Sequence, residues 1–326
     1  MLRLKEINYD DWMRIWSNCI KSNLLQSWEY GNAKENIENW IPHRFALIDN
    51  MGQDIGLVQV LLKKVPLIGY FARVNRGPII TIEVNGKYKK ELILETINLL
   101  KVESKNRKWR VLQIAPELEN SIEIINELKT FRLSHLSNEA WASGTFLLNM
   151  NDDDLIMQLN GKWRNCLRKG LKSNISIKYS NNCNEDLNLL FESYAMLKQK
   201  KQFYGMTESF IKDLSKQDND NWKFNLFFAF EDSEQKKDPI GTLVSIFHGD
   251  TSIYLIGTSN SIGRKINANY VLLWEAVLKA KSQGSNWFDI GGLNKETPLG
   301  ISHFKKGINS NLYQLVGEFR LINFFF

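Results

Sequence analysis

Two stretches of this chain carry the same alternation of apolar and polar positions. Residues 45–60 read as a strand, a polar turn holding Gly52, and a second strand opening at Ile55 and Gly56. Residues 227–246 repeat the plan: Phe227 to Phe230 are apolar, a polar turn follows, and a second strand opens at Ile240 and Gly241. Behind the first pair, Leu92, Leu94, Ile97 and Leu100 predict a helix over 88–104, and a strand starts at Trp109. Behind the second pair, the helix falls at 269–281 and the strand starts at Trp287.

The two copies of Ile-Gly lie 185 residues apart and the two strand-opening tryptophans 178 apart, which predicts two α+β units of similar plan rather than a short-period solenoid. Residues 149–154 form a polar, acidic run between them, with Asn151 or Asp152 as candidate N-cap of a helix carrying Trp163. A further helix is expected over 185–201.

At 326 residues with 43% hydrophobic and 12% aromatic positions, the chain has ample core for two domains. Lys and Arg number 42 against 36 Asp and Glu, a net charge of +6 that suits an anionic partner or a lysine-rich solvated surface equally well. Cys19, Cys166 and Cys183 are widely spaced, so neither a disulfide framework nor a zinc site is expected, and a reducing cytoplasm is the simplest home. No signal-peptide pattern opens the chain, and no apolar run is long enough to span a bilayer. The apolar ending, Leu321 to Phe326, leaves two readings: the close of a buried strand, which is favoured, or a membrane contact.

The four histidines show no metal-ligand spacing, and G-x-S-x-G, P-loop and Rossmann glycine patterns are missing. Two basic-aromatic clusters remain. Arg164, Arg168 and Lys172 share one helical face, flanked by Lys162, Trp163 and Lys169; this is either a phosphate-gripping stripe with an aromatic for stacking, or a solvated basic face. Asp289, Ile290, Gly291 and Gly292 end a strand, and a glycine-bounded loop with Phe304 and Lys305 follows. An ammonium held there could stabilise an oxyanion or hold a phosphate. Asp289 reads as a structural hydrogen-bond acceptor ahead of a catalytic carboxylate. Lys34, near Trp28 and Tyr30 on an early helix, reads alone as a surface lysine.

Taken in order, Gln26 to Tyr30 with Lys34, Arg76-Gly77-Pro78, Trp163 through Lys169, Tyr254 through Gly257, Asp289 through Gly292 and Phe304-Lys305 resemble the Fem family of peptidoglycan interpeptide-bridge aminoacyltransferases. The likeness runs over nearly the whole chain and is to the short type, without a helical-hairpin arm. It implies two tandem acetyltransferase-like (GNAT-like) α+β domains with a cleft between them. The first would span 1–148 with the last strand, 312–326, returned to it, and the second 149–311. It implies transfer of an amino acid from aminoacyl-tRNA to an amine of a lipid-linked or nucleotide-linked peptidoglycan precursor, without a metal or cofactor, in the cytoplasm or at the inner face of the membrane.

The resemblance sets Phe304-Lys305 near the channel for the tRNA acceptor end, and with the oxyanion argument above Lys305 would be the catalytic residue. Lys34, Trp28, Tyr30, Arg76, Tyr254 and Phe304 would contact substrate, and Arg164, Arg168 and Lys169 the tRNA. Two departures stand out. Ala115-Pro116 occupies the place where the family often has an aspartate before proline, with Glu117 nearby, and residues 198–205 offer lysines where members bring an arginine. The same fold serves acyl-CoA donors, so an acyl-CoA-dependent N-acyltransferase on an amino sugar or envelope glycan, or a non-catalytic precursor-binding relative, are the alternatives. Only one glycine in 261–269 argues against a pyrophosphate-binding loop.

Overall fold

The computed structural model describes residues 2–81, 86–136, 140–202, 205–231, 238–295 and 297–324. Parts of three sequence readings lie outside the described residues: 203–204 in the expected precursor-facing segment, the turn at 232–237, and Phe325 and Phe326 of the tail. The chain divides into two compact units, 1–142 with 313–326, and 143–312.

The first unit contains β1 (Arg3–Glu6), α1 (Tyr9–Trp16), α2 (Trp28–Glu38), β2 (Ile41–Ile48), β3 (Asp54–Val65), β4 (Gly69–Asn75), β5 (Ile79–Ile80), α3 (Gly86–Asn106), β6 (Trp109–Ala115), α4 (Ile122–Thr130) and β7 (Ser134–His135). The second contains β8 (Ala142–Leu147), α5 (Asp152–Gln158), α6 (Gly161–Leu171), β9 (Ile175–Tyr179), α7 (Asn184–Lys201), α8 (Glu208–Lys216), β10 (Trp222–Glu231), β11 (Gly241–His248), β12 (Thr251–Ser259), α9 (Ser261–Lys265), α10 (Ala268–Ser282), β13 (Trp287–Asp289) and α11 (Leu299–Lys306). The chain then returns through β14 (Asn311–Gln314) to β15 (Phe319–Ile322).

Each unit is built on a mixed sheet, and the two sheets share one plan. In the first, β2, β3 and β4 run antiparallel, α3 crosses over, and β6 lies parallel to β4 with β15 antiparallel beyond it. In the second, β10, β11 and β12 run antiparallel, α10 crosses over, and β13 lies parallel to β12 with β8 antiparallel beyond it. The duplicated Ile-Gly pairs open β3 and β11, and the duplicated tryptophans open β6 and β13, so the repeated pattern marks topologically equivalent strands.

Burial explains why these segments settle as they do. α10 buries Ala268, Val271, Leu272, Leu273, Trp274, Ala276, Val277 and Ala280, apolar on nearly every side, as a helix enclosed by a sheet and its neighbours must be. The other unit packs Ile93, Ile97 and Leu100 of α3 against Val60, Ala72, Val74 and Leu112. At the end of the chain Phe319 is fully buried on β15, whereas Phe324 is 68% exposed, so the apolar ending is a strand only up to Ile322.

Two sequence expectations are corrected. The helix expected to run from Asn151 through Trp163 is two helices: Asn151 caps α5, the chain turns at Leu159, and Asn160 caps α6 by accepting from the Lys162 amide at 3.0 Å. The expected loop around Lys305 is α11, started by Pro298 and closed by Gly307, the residue pair that commonly brackets a short helix.

Candidate functional site

Pairing between β12 and β13 runs from Thr251 opposite Trp287 to Ile253 opposite Asp289. On the other edge of β12, Ile256 faces Val244 but Tyr254 faces Ser245, so Leu255 is an extra, bulged residue. Tyr254 therefore stands where one ladder has ended and the other slips. Its phenol lies over Gly257, where a Cβ would come within 1.7 Å of the hydroxyl. Burial raises the pKa of Tyr254 and keeps the ring neutral.

Beyond β13 the chain turns at Gly291, whose φ of +71° is cheap only for glycine. A Cβ there would sit 2.5 Å from the Tyr254 carbonyl oxygen and 3.3 Å from Lys305 Nζ. Asp289, itself buried, fixes this turn: its Oδ1 accepts from the Gly291 amide at 2.8 Å and from the Ser143 hydroxyl, whose oxygen is also 2.9 Å from the Gly291 carbonyl. Asp289 is thus the hydrogen-bond acceptor the sequence favoured. Ser143 was not legible, because it comes from β8, far away in sequence.

Lys305 reaches this turn from α11. Its Nζ donates to the Gly292 carbonyl at 3.2 Å and lies 4.7 Å from the centre of the Tyr254 ring. At 7% exposure the ammonium has lost most of its water, which lowers its pKa to about 8 even though the charge on Asp289 pulls it back up. The result is a cation at neutral pH that surrenders its proton easily.

The neighbouring Phe304 faces a different environment. Its ring stacks on Trp163 at 6.2 Å and meets Tyr270 edge-on at 5.0 Å, and its carbonyl accepts from Trp163 Nε1 at 2.9 Å. Trp163 is buried in the core at 3% exposure, so the reading of its indole as a stacking platform among the charges is corrected: it is the anchor that holds α11 to α6. An i, i+4 pattern of basic residues gives no sign that the residue beside them points inward.

On α6, Arg168 and Lys169 are exposed, and Arg164 folds back to donate to the Met157 carbonyl at 3.2 Å.

The remaining candidates lie in the first unit. Ser27 caps α2, accepting from the Tyr30 amide at 3.2 Å. One face of Trp28 is covered by the Arg44 guanidinium, 3.5 Å from the ring centre, and Tyr9 packs edge-on at 5.1 Å. Tyr30 is buried with a raised pKa caused by that burial, and Lys34, paired with Glu38 at 2.7 Å, hovers 5.5 Å from its ring. Arg76 is committed elsewhere: Nε and Nη2 donate to the two Glu117 oxygens at 2.8 and 2.7 Å, Nη2 also reaches the Tyr313 hydroxyl at 3.1 Å, and Trp141 stacks on it at 5.0 Å. Glu117, the carboxylate near the alanine at position 115, is therefore held in an ion pair.

Gln26, next to these residues, has a role that no local pattern announces. Its Nε2 donates to the Asn75 carbonyl at 2.7 Å and its Oε1 accepts from the Gln59 amide at 2.7 Å. It plugs the opening between the part of β3 that pairs with β4 and the part that pairs with β5, standing in for a missing backbone strand.

Comparison with known proteins agrees with this architecture. The FemAB family pattern matches residues 216–323. The lipid II:glycine glycyltransferases of two Staphylococcus epidermidis strains are each 21% identical over 91% of this chain and 87% of their own length. The crystal structure of FemX superposes with a TM-score of 0.80 at 18% identity, covering 98% of this chain and 97% of that one. A tandem GNAT protein from the clavulanic acid pathway gives 0.56 at 9% identity over 99% and 98% of the two chains, which shows a common fold. The likeness to the Fem family read from the ordered motifs therefore holds, in residues 216–323 by the family pattern and along the chain by a FemX-type fold of two tandem GNAT-like units.

Proposed function

We propose that the protein is an aminoacyltransferase of cell-wall synthesis, moving an amino acid from aminoacyl-tRNA to an amine of a peptidoglycan precursor to build an interpeptide bridge. The name of the staphylococcal relatives supports the precursor and the amino-acid transfer. Lys305 carries the reading: a buried ammonium set against the Tyr254 ring and the Gly292 carbonyl, where a cation can meet developing negative charge.

In this reading the acceptor amine attacks the ester carbonyl of the charged tRNA. The new C–N bond forms as the carbonyl oxygen takes up negative charge, which Lys305 offsets. The tetrahedral species collapses, the ester C–O bond breaks, and the ribose oxygen leaves with the proton the amine sheds. Asp289 and Ser143 hold the Gly291–Gly292 turn against which Lys305 is set. Tyr254 lines the donor side, with Phe304 fixing α11 behind Lys305. Trp28, Tyr30 and Lys34 contribute to the acceptor side, and Arg164, Arg168 and Lys169 meet tRNA phosphates. Arg76 acts through its ion pair with Glu117, as a support rather than a direct contact. The transfer is driven by the ester itself and calls for no cofactor; with a lipid-linked precursor the work falls at the inner face of the membrane, and with a nucleotide-linked one in the cytoplasm.

The test is transfer of radiolabelled amino acids from total charged tRNA to lipid-linked and nucleotide-linked precursors. Ribonuclease-sensitive transfer is expected, and Lys305→Ala should lower kcat by about 10²–10³-fold, as removal of an oxyanion-stabilising donor does elsewhere. Transfer from an acyl-CoA that ribonuclease leaves intact would overturn the proposal, and full turnover by a folded Lys305→Ala protein would remove Lys305 from it.

A further inference from the structure

One end of the first unit's sheet exposes apolar side chains in a place where the backbone conformation does not favour them. The β3–β4 hairpin turns through Val65, Pro66, Leu67 and Ile68, closed by the Ile68 amide donating to the Val65 carbonyl at 3.2 Å. Pro66 sets the first corner, and Leu67 takes the second with φ +64°, as in a type II turn where glycine or asparagine ordinarily stands. Leu67 is fully exposed, and Ile68 is 54% exposed. A leucine in left-handed backbone, with its side chain wholly in water, is unfavourable on both counts, and stability alone gives no reason for it.

Neighbouring strand ends bring more of the same surface. Tyr70 pairs with Trp109 at the start of β6, and Ile322 with Val111 at the end of β15, so Tyr70, exposed Ile322 and Phe324 gather beside the hairpin. Arg110 lies against the hairpin at Gly69 and carries the Phe324 ring at 5.0 Å. Exposed Lys64 and Lys108 flank the apolar residues, and Lys63 donates to the Glu38 carbonyl at 3.1 Å behind them. Glu38, the acid at this end of α2, has its carboxylate paired with Lys34.

We propose that this end of the first unit docks on an anionic bilayer surface, with Leu67, Ile68 and Phe324 entering the headgroup region and Lys64, Lys108 and Arg110 meeting lipid phosphates. An apolar tip ringed by long cationic side chains is the composition of an interfacial anchor: the tip gains from leaving water, and the ammonium groups stay at headgroup level. The positive ring selects an anionic membrane over a second copy of this chain, which would present the same positive ring. The site deepens the proposed action on a lipid-linked acceptor by supplying the contact that would hold the enzyme at its substrate's surface. It does not use Lys305 or any substrate, so it stands or falls separately.

The experiment is co-sedimentation of the full chain with vesicles of phosphatidylglycerol and phosphatidylethanolamine, and with phosphatidylcholine vesicles, without tRNA or precursor. Binding to the anionic vesicles alone is expected, weakening about fivefold for each of Lys64→Gln and Lys108→Gln. Leu67→Asn suits the left-handed turn better than leucine, so it should fold at least as well; combined with Ile68→Ser it should abolish sedimentation with unchanged Tm. No binding by the parent chain, or equal binding by Leu67→Asn/Ile68→Ser, would overturn the proposal. So would a concentration-dependent dimer in light scattering that the same double substitution dissolves.

Discussion

An ammonium at 7% exposure has opposite effects on stability and on chemistry at Lys305. Its pKa of about 8 in the fold compares with roughly 10.4 in an unfolded chain, so between those values the unfolded state binds a proton that the folded state does not. Stability therefore rises as pH rises from 8 toward 10, and below 8 the full cost of burying the charge stands. Lys305→Met should raise stability at pH 7 by at most about 3 kcal/mol, with the gain fading by pH 10, while transfer falls as it does for Lys305→Ala. Urea unfolding at pH 7 and pH 10 checks this; a variant less stable than the parent at both would mean that the bond to Gly292 and the contact with Tyr254 outweigh the desolvation. Turnover should also decline above pH 8 as Lys305 loses its proton.

At the scale of the element, Gln26 tests whether the first unit's sheet depends on its side-chain plug. Gln26→Ala leaves the Gln59 amide and the Asn75 carbonyl buried without these partners, which should cost about 3 kcal/mol or more in denaturant unfolding. A change under about 1 kcal/mol would mean water fills the opening and the plug is dispensable. Elements differ in how much of this the sequence discloses. The hairpins are legible because an alternation of period two fixes which face is buried, and the cores of α3 and α10 follow from their apolar positions. The sequence of α11 suggests a loop because glycine and proline at its borders outweigh the eight residues between them, although Pro298 and Gly307 in that order are themselves helix signals. The inward direction of Trp163 is hidden in the sequence because the charges around it describe the exposed face of α6 and say nothing of the face against α11. The contacts of Gln26 with β3 and β4, and of Ser143 with Asp289, join residues far apart in sequence, and no local pattern encodes such pairs.

For the whole molecule, duplication is what the chain discloses most plainly, since equivalent strands open with the same residues in both copies. No local pattern, only the family resemblance, shows that the sheets are completed from outside their own copy of the repeat: β15 enters the first sheet between β6 and β7. Phe319 on that strand is fully buried and stacks on His135 at 4.6 Å, so seven residues before Phe326 the chain still carries part of the first unit's core. Phe319→Ala should cost about 3–5 kcal/mol, as large aromatic truncations in packed cores do. Because the core it touches belongs to one unit, hydrogen exchange should show faster opening in β2, β3, β4 and β6 and unchanged protection in β11, β12 and α10. Exchange that speeds up equally in both sheets would show instead that the units open as one cooperative body. Protection that changes in neither would mean that β15 is held by its ladders to β6 and β7, without need of the buried ring.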